Sequence, residues 1–224
     1  MAHPWLQRHL EFLKGIEGWF GSVRSRHEGQ MQCGRGCALC CRGLFDISLP
    51  DALVLAEGLA ALPPEVLARV RTSAQSIQNG IAQDAPELTA PHFLNVLDAG
   101  RIDAIVEHAK SPRCPLLGED NQCLVYEYRP LACRLEGVPM VDVRDGLFGD
   151  WCELNFTGGL PETALKDLQL DYYELQEVEG IAAEIISGDL LHDCRRDATV
   201  FIASVVTDFE TYWKPLLDGD RREP

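Results

Sequence analysis

Trp5, Leu6, Leu10, Leu13, Ile16, Trp19, Phe20 and Val23 recur at three- and four-residue spacings. That rhythm predicts a helix from about Pro4 to His27 with one apolar face. Gly15, Gly18 and Gly21 interrupt it, either loosening the helix or letting a neighbour approach closely. The face is short on basic residues, so covering the protein's own core is the expected use, ahead of docking on a membrane or a partner. A second helix announces itself at Ser48-Leu-Pro-Asp51: a capping hydroxyl, a proline in the first turn and an acidic residue three positions on. Val54, Leu55 and Leu59 then face inward until Pro63-Pro64 interrupts. From Pro64 a further helix uses Leu67, Val70, Ala74 and Ile77, with Asn79-Gly80 near its end.

Beyond that point the periods shorten. Residues 91–110 predict two short helices broken around Gly100. Cys114 to Val125 reads as a small hairpin, because Gly118-Glu-Asp-Asn121 is turn chemistry between short apolar pieces. Arg129-Pro130 opens a short helix carrying Cys133, and Val138 to Leu147, with Asp145-Gly146, predicts another hairpin. Two helices follow, over about Pro161–Ser187 and Ala198–Trp213, before a polar tail from Asp218 to Pro224. The expected fold is mainly α: a single helical domain with small β-hairpins around a cysteine-rich site. Its parts are an N-terminal helix packing on the core (1–32), a cysteine-cluster region (33–157) and a helical C-terminal extension of the same domain (158–224).

Composition supports a self-sufficient core. At 224 residues and 46% hydrophobic, the chain needs no crosslinks to fold. The N-terminal stretch lacks the uninterrupted apolar core of a signal peptide, and no apolar run is long enough to span a bilayer. A cytoplasmic location is therefore expected. The net charge of −15 is uneven: residues 1–45 hold six Lys/Arg against three Glu, leaving 14 against 32 acidic residues elsewhere. Such a surface argues against nucleic acid phosphates or anionic lipid as partners.

Cysteine dominates the chemistry. Seven of the nine fall into two clusters: Cys33, Cys37, Cys40 and Cys41, then Cys114, Cys123 and Cys133. In a reducing compartment, thiols at these spacings bind a soft metal or do redox work more often than they crosslink. Cys152, after Trp151, is a further candidate ligand; Cys194 is remote and isolated. The adjacent pair Cys40-Cys41 is informative because neighbouring side chains diverge and seldom complete one tetrahedral shell. Two metals, a cluster, or one ligand beside a free thiol are the simplest solutions. Arg35, Arg42, Arg113, Arg129 and Arg134 border the cysteines and could donate to sulfur or compensate thiolate charge. Gly34 and Gly36 would let the first loop wrap an ion. The six histidines have no ligand-like spacing and read as packing or surface residues.

Cys37-x-x-Cys40-Cys41, the following Ile-Ser-Leu-Pro-Asp, Cys114-Pro-Leu-Leu, and Cys123-x-Val-Tyr-Glu-x-Arg-Pro-x-x-Cys133-Arg134 resemble the YkgJ-type cysteine-cluster family. That family is described as a zinc- or iron-chelating domain, its members often labelled iron–sulfur oxidoreductases; a similar domain occurs in the flagellin lysine methylase. The resemblance covers about residues 33–155. It implies metal chelation through Cys33, Cys37, Cys40, Cys41, Cys114, Cys123 and Cys133, with Cys152 corresponding loosely to a late family cysteine.

Three functional readings follow. The first is a cytoplasmic metal-binding protein holding zinc, iron or an iron–sulfur cluster. The second is an iron–sulfur-dependent redox or protein-modifying enzyme, and the third an extracellular disulfide-rich module. For the second there is no dinucleotide or phosphate loop. Cys33, Cys37 and Cys40 do have the Cys-x-x-x-Cys-x-x-Cys spacing of radical clusters, but the repeated βαβ pattern of a radical barrel is absent. Whether the chain is an enzyme, and whether it has a protein partner, stays open at this level.

Overall fold

The computed structural model describes residues 3–219, a mainly helical chain with small strands, as expected. Helix α1 spans Pro4–Arg26, and its buried positions Leu6, Leu13, Ile16 and Val23 belong to the predicted face. His9 joins them and is 2% exposed. Nothing lies within 4 Å of a Cβ placed on Gly15, Gly18 or Gly21, so these glycines loosen the helix and permit no close approach.

Strand β1 (Asp46–Ser48) leads into α2 (Leu49–Ala60). Ser48 caps α2 by accepting from the Asp51 N–H, but only half of a capping box forms. The Asp51 carboxylate turns away, towards His9 and the Leu131 N–H. Helix α2 is apolar all round and buried along nearly its whole length, as befits the centre of a helical core. A Cβ on Gly58 would sit 2.8 Å from the Tyr128 side chain, so only glycine lets the 126–128 turn rest on α2.

Helix α3 (Pro64–Asp84) runs past Asn79-Gly80 because Ile81 is still buried. The next helical pieces are a 3₁₀ turn at Leu94–Val96 and α4 (Ala99–His108). The break falls at Asp98, whose carboxylate caps Arg101, so Gly100 lies inside the helix and does not end it. Helix α5 (Leu131–Leu135) carries Cys133, and the antiparallel pair β2 (Met140–Asp142) and β3 (Gly146–Phe148) forms the second expected hairpin.

Two predicted helices are divided. The stretch 161–187 splits into α6 (Glu162–Asp167), strand β4 (Gln169–Leu170) and α7 (Tyr172–Leu191). Strand β4 pairs parallel with β2, and Asp171 then caps α7 through the Glu174 N–H. The signal Asp171-Tyr-Tyr-Glu174 is a capping-box string inside an apparently continuous helical period. Likewise 198–213 opens with β5 (Thr199–Phe201), antiparallel to β1, before α8 (Ile202–Thr207), a π-helical turn at Phe209–Trp213 and α9 (Lys214–Asp218). Thr199-Val-Phe is β-branched and aromatic, and a distant strand was waiting for it. Of the expected tail, residues 220–224 lie outside the described residues.

The largest core cluster draws on α1, α2, α7 and α8 together, with Cys114, Cys123 and Cys133 packed against it. The cysteine region therefore rests on the main core.

Candidate metal centre

Three backbone devices gather the cysteines. The Cys33–Cys41 loop folds on itself through turns at Cys37 N–H to Gly34 O (3.0 Å) and Cys41 N–H to Ala38 O (3.2 Å). Gly36 supplies the left-handed residue of that loop, with φ +91°. Next, the loop is stitched to the second cluster: Cys114 N–H donates to Cys41 O at 3.1 Å, and Arg42 bridges Arg113. The 114–125 hairpin closes with a bridge between Leu117 and Cys123, while the Arg113 guanidinium donates to the carbonyls of Leu117 and Gly118. Finally Gly137, at φ +78°, brings Cys152 beside Cys33. A Cβ there would lie 2.9 Å from the Cys152 Cβ and 3.7 Å from the Cys33 Sγ. Any side chain at 137 would push the two cysteines apart.

Cys33, Cys37, Cys40, Cys41, Cys114, Cys123 and Cys133 line one cavity of about 950 Å³, counting its open mouth. Cys152 reaches it indirectly, through Cys33. Cys194 is exposed and does not line it. All nine cysteines are free thiols.

Charge coupling divides the eight clustered thiols into two sets. Cys33 is raised by burial and further by Cys37, Cys152 and Cys40. Cys41 feels Cys114, Cys133 and Cys123, and Cys133 feels Cys114 and Cys123 in turn. The join is the adjacent pair: Cys40 and Cys41 share a hydrogen bond that raises Cys40 and lowers Cys41. The neighbours thus influence each other while each is coupled to a different set.

Elsewhere burial governs. It lifts Cys114 to about 11, raises Cys123 and raises Cys133 well above an ordinary thiol. The protein alone holds these sulfurs neutral, whereas a bound cation reverses that preference. The donor set therefore fits a thiophilic ion. Among the described residues no three of these sulfurs all lie within 4.8 Å of one another. A tetrahedral zinc site needs sulfurs about 3.8 Å apart, so its thiols would turn inward on binding.

The bordering arginines separate by role. Arg129 and Arg35 offset part of the rise at Cys123, and Arg113 part of that at Cys114, so these compensate charge at a distance. Arg129 also stacks on the Tyr126 ring at 3.7 Å. Arg134 is buried and bonds the carbonyls of Arg129 and Glu127 and the carboxylate of Glu17, tying α5 to α1. Donation to the Cys33 sulfur comes from Asn155, which the sequence reading missed. Its Nδ2 reaches the Cys33 Sγ at 2.9 Å and the Gly137 carbonyl at 2.6 Å, and its Oδ1 accepts from the Gln32 N–H. At 1% exposure Asn155 clamps both ends of the cysteine region; its place three residues after Cys152 is the one signal for it.

Neither the curated proteins nor the solved structures gave a match to this chain. A family model did: CxxCxxCC, described as "Putative zinc- or iron-chelating domain", matches residues 32–153 and so covers every clustered cysteine. The chain belongs to this CxxCxxCC family of zinc- or iron-chelating cysteine-cluster domains.

Proposed function

We propose that the chain is a metal-binding protein whose eight clustered cysteines act as two four-thiolate groups for zinc or iron, the iron as ions or as a cluster. One group is Cys33, Cys37, Cys40 and Cys152; the other is Cys41, Cys114, Cys123 and Cys133. The observation carrying this reading is geometric: seven of the eight thiols line one cavity, Cys152 sits beside Cys33 at Gly137, and Cys41 is stitched to Cys114 by a backbone hydrogen bond, with the charge coupling of the thiols following the same grouping. It gives the adjacent pair a purpose: one residue for each group. When bound, zinc would supply structural crosslinking, and iron electron transfer as well. The chain's own residues position and insulate the thiols. Gly137 keeps Cys152 against Cys33, Asn155 orients the Cys33 sulfur, and Arg35, Arg113 and Arg129 offset negative charge. Eight ligand thiols require a reducing compartment, which supports a cytoplasmic site of action.

Anaerobic purification with elemental analysis and an absorption spectrum tests this. A brown protein with acid-labile sulfide identifies a cluster; a colourless one with about two zinc ions identifies zinc, in line with one ion per four-thiolate group. Cys37→Ser and Cys41→Ser should each remove about half of the metal, the double variant nearly all, and Cys194→Ser none. Metal-free protein lacking free thiols, or equal retention in all variants, overturns the reading.

A further inference from the structure

A second constellation sits on the other side of α5. His9 on α1, Asp51 on α2 and Glu179 on α7 bring one ligand atom each to within 4.8 Å of one another. His9 and Asp51 are 2% and 1% exposed, and the His9 Nε2 donates to the Asp51 Oδ1 at 2.7 Å. Each carboxylate is oriented by a hydrogen bond from outside the trio. The Leu131 N–H holds the Asp51 Oδ2 at 2.7 Å, and the Ser48 hydroxyl holds the Glu179 Oε1 at 2.7 Å. Ligands steered by outer partners in this way are the usual build of a metal site.

Asp51 and Glu179 open onto a cavity of about 1020 Å³, counting its mouth. Asp46, Glu136 and Asp150 also line it, and among the described residues lining it there is no lysine or arginine. Five carboxyl groups with no lysine or arginine in the lining make a negative enclosure, and Arg134, on the opposite side of α5, is the cation coupled to Asp51. The strain is felt inside: burial, then the Asp51 charge, lifts Glu179 to about 8. One buried and one half-buried carboxyl group beside an imidazole offer a divalent cation three donors, and the cation would displace the proton that Glu179 otherwise retains.

We propose that His9, Asp51 and Glu179 form a second metal site, separate from the thiols, for a divalent first-row cation bound through one imidazole nitrogen and two carboxylates. The cation replaces the proton that now joins His9 to Asp51, and any remaining coordination positions face the acidic cavity. Nitrogen–oxygen donors suit a harder ion than the thiols do, so the molecule separates two metals by ligand softness. A purely structural trio, held together by shared protons, is the competing arrangement.

Mn²⁺ distinguishes them, because thiolates compete poorly for it. The 224-residue chain as purified is titrated with Mn²⁺, and free ion is followed by its electron paramagnetic resonance. One saturable equivalent is expected. Glu179→Gln, which keeps the packing, should weaken that binding at least about tenfold while circular dichroism stays native. His9→Gln should do likewise, whereas Cys37→Ser should leave Mn²⁺ binding unchanged. Absence of saturable binding, or binding that survives Glu179→Gln, overturns the site. Because the readout is Mn²⁺, either result leaves the thiol groups to be judged separately by their own metal content.

Discussion

The two faces of α5 present opposite chemistries. Cys133 and Arg134 line the thiol cavity, while Leu131, Ala132 and Leu135 line the carboxylate cavity, and Glu136 borders both. On the thiol side the donors are soft, and burial opposes the charged form that a metal needs. On the other side the donors are hard, and two carboxylates are crowded against one imidazole. The thiol side is assembled mainly from loops and glycines, the other from three helices, with His9 and Glu179 inside α1 and α7 and Asp51 in the first turn of α2. Rigid helices can hold a trio within ligand reach without an ion, whereas loops leave the sulfurs more open. The contrast teaches that preorganisation here follows the supporting element, not the number of ligands.

Asp51 connects the two sides, and removing it should have the largest effect. Asp51→Ala strips the acceptor from buried His9 and from the Leu131 N–H at the start of α5. A loss of about 3–5 kcal/mol is expected in urea unfolding, as for a buried pair deprived of one partner. Metal content should fall as well, because Cys133 sits on the helix that Asp51 anchors. Should stability fall by less than about 1 kcal/mol with metal intact, the two faces are energetically independent.

Asn155→Ala acts on the thiol side alone. It removes the donor to Cys33 and leaves the Gln32 N–H without its side-chain acceptor. The expected cost is about 1–3 kcal/mol, with reduced metal in the Cys33 group. The Cys41 group should keep its metal. If both groups empty together, the division into two sets is wrong and the eight thiols form one centre.

These two residues also show where the sequence was readable. The thiol side is visible because its cysteines come in short local spacings, and Cys40-Cys41 already argues against one simple four-thiolate zinc site. Asn155 carries no such spacing. His9, Asp51 and Glu179 are separated by 42 and 128 positions in the numbering, so no local period joins them. In the sequence Asp51 reads as part of a helix start and His9 as a packing histidine; only the tertiary meeting of α1, α2 and α7 brings them together with Glu179. The fold divides in the same way. Helices with a proline in the first turn and a clean period are legible at Pro4, Ser48 and Pro64. The divided ones were not, because β4 and β5 exist through pairing with β2 and β1, which a helical period cannot reveal.

The smallest expected effect probes whether the carboxylate cavity is polar throughout. Tyr172, on its wall, has a buried hydroxyl that makes no hydrogen bond among the described residues. Burial and then Asp142 raise that phenol to about 12, so it stays neutral across the working range. Its ring meets Phe148 edge-on at 4.9 Å, and its backbone N–H is held by Asp142, so neither contact depends on the oxygen. Tyr172→Phe therefore removes only an uncompensated donor. Stability should stay level or rise by up to about 1 kcal/mol, and Mn²⁺ binding should not change. A loss above about 1 kcal/mol would mean that the hydroxyl has a partner in solution, reached through the cavity. A loss of Mn²⁺ affinity would instead extend the hard-ligand side as far as Tyr172.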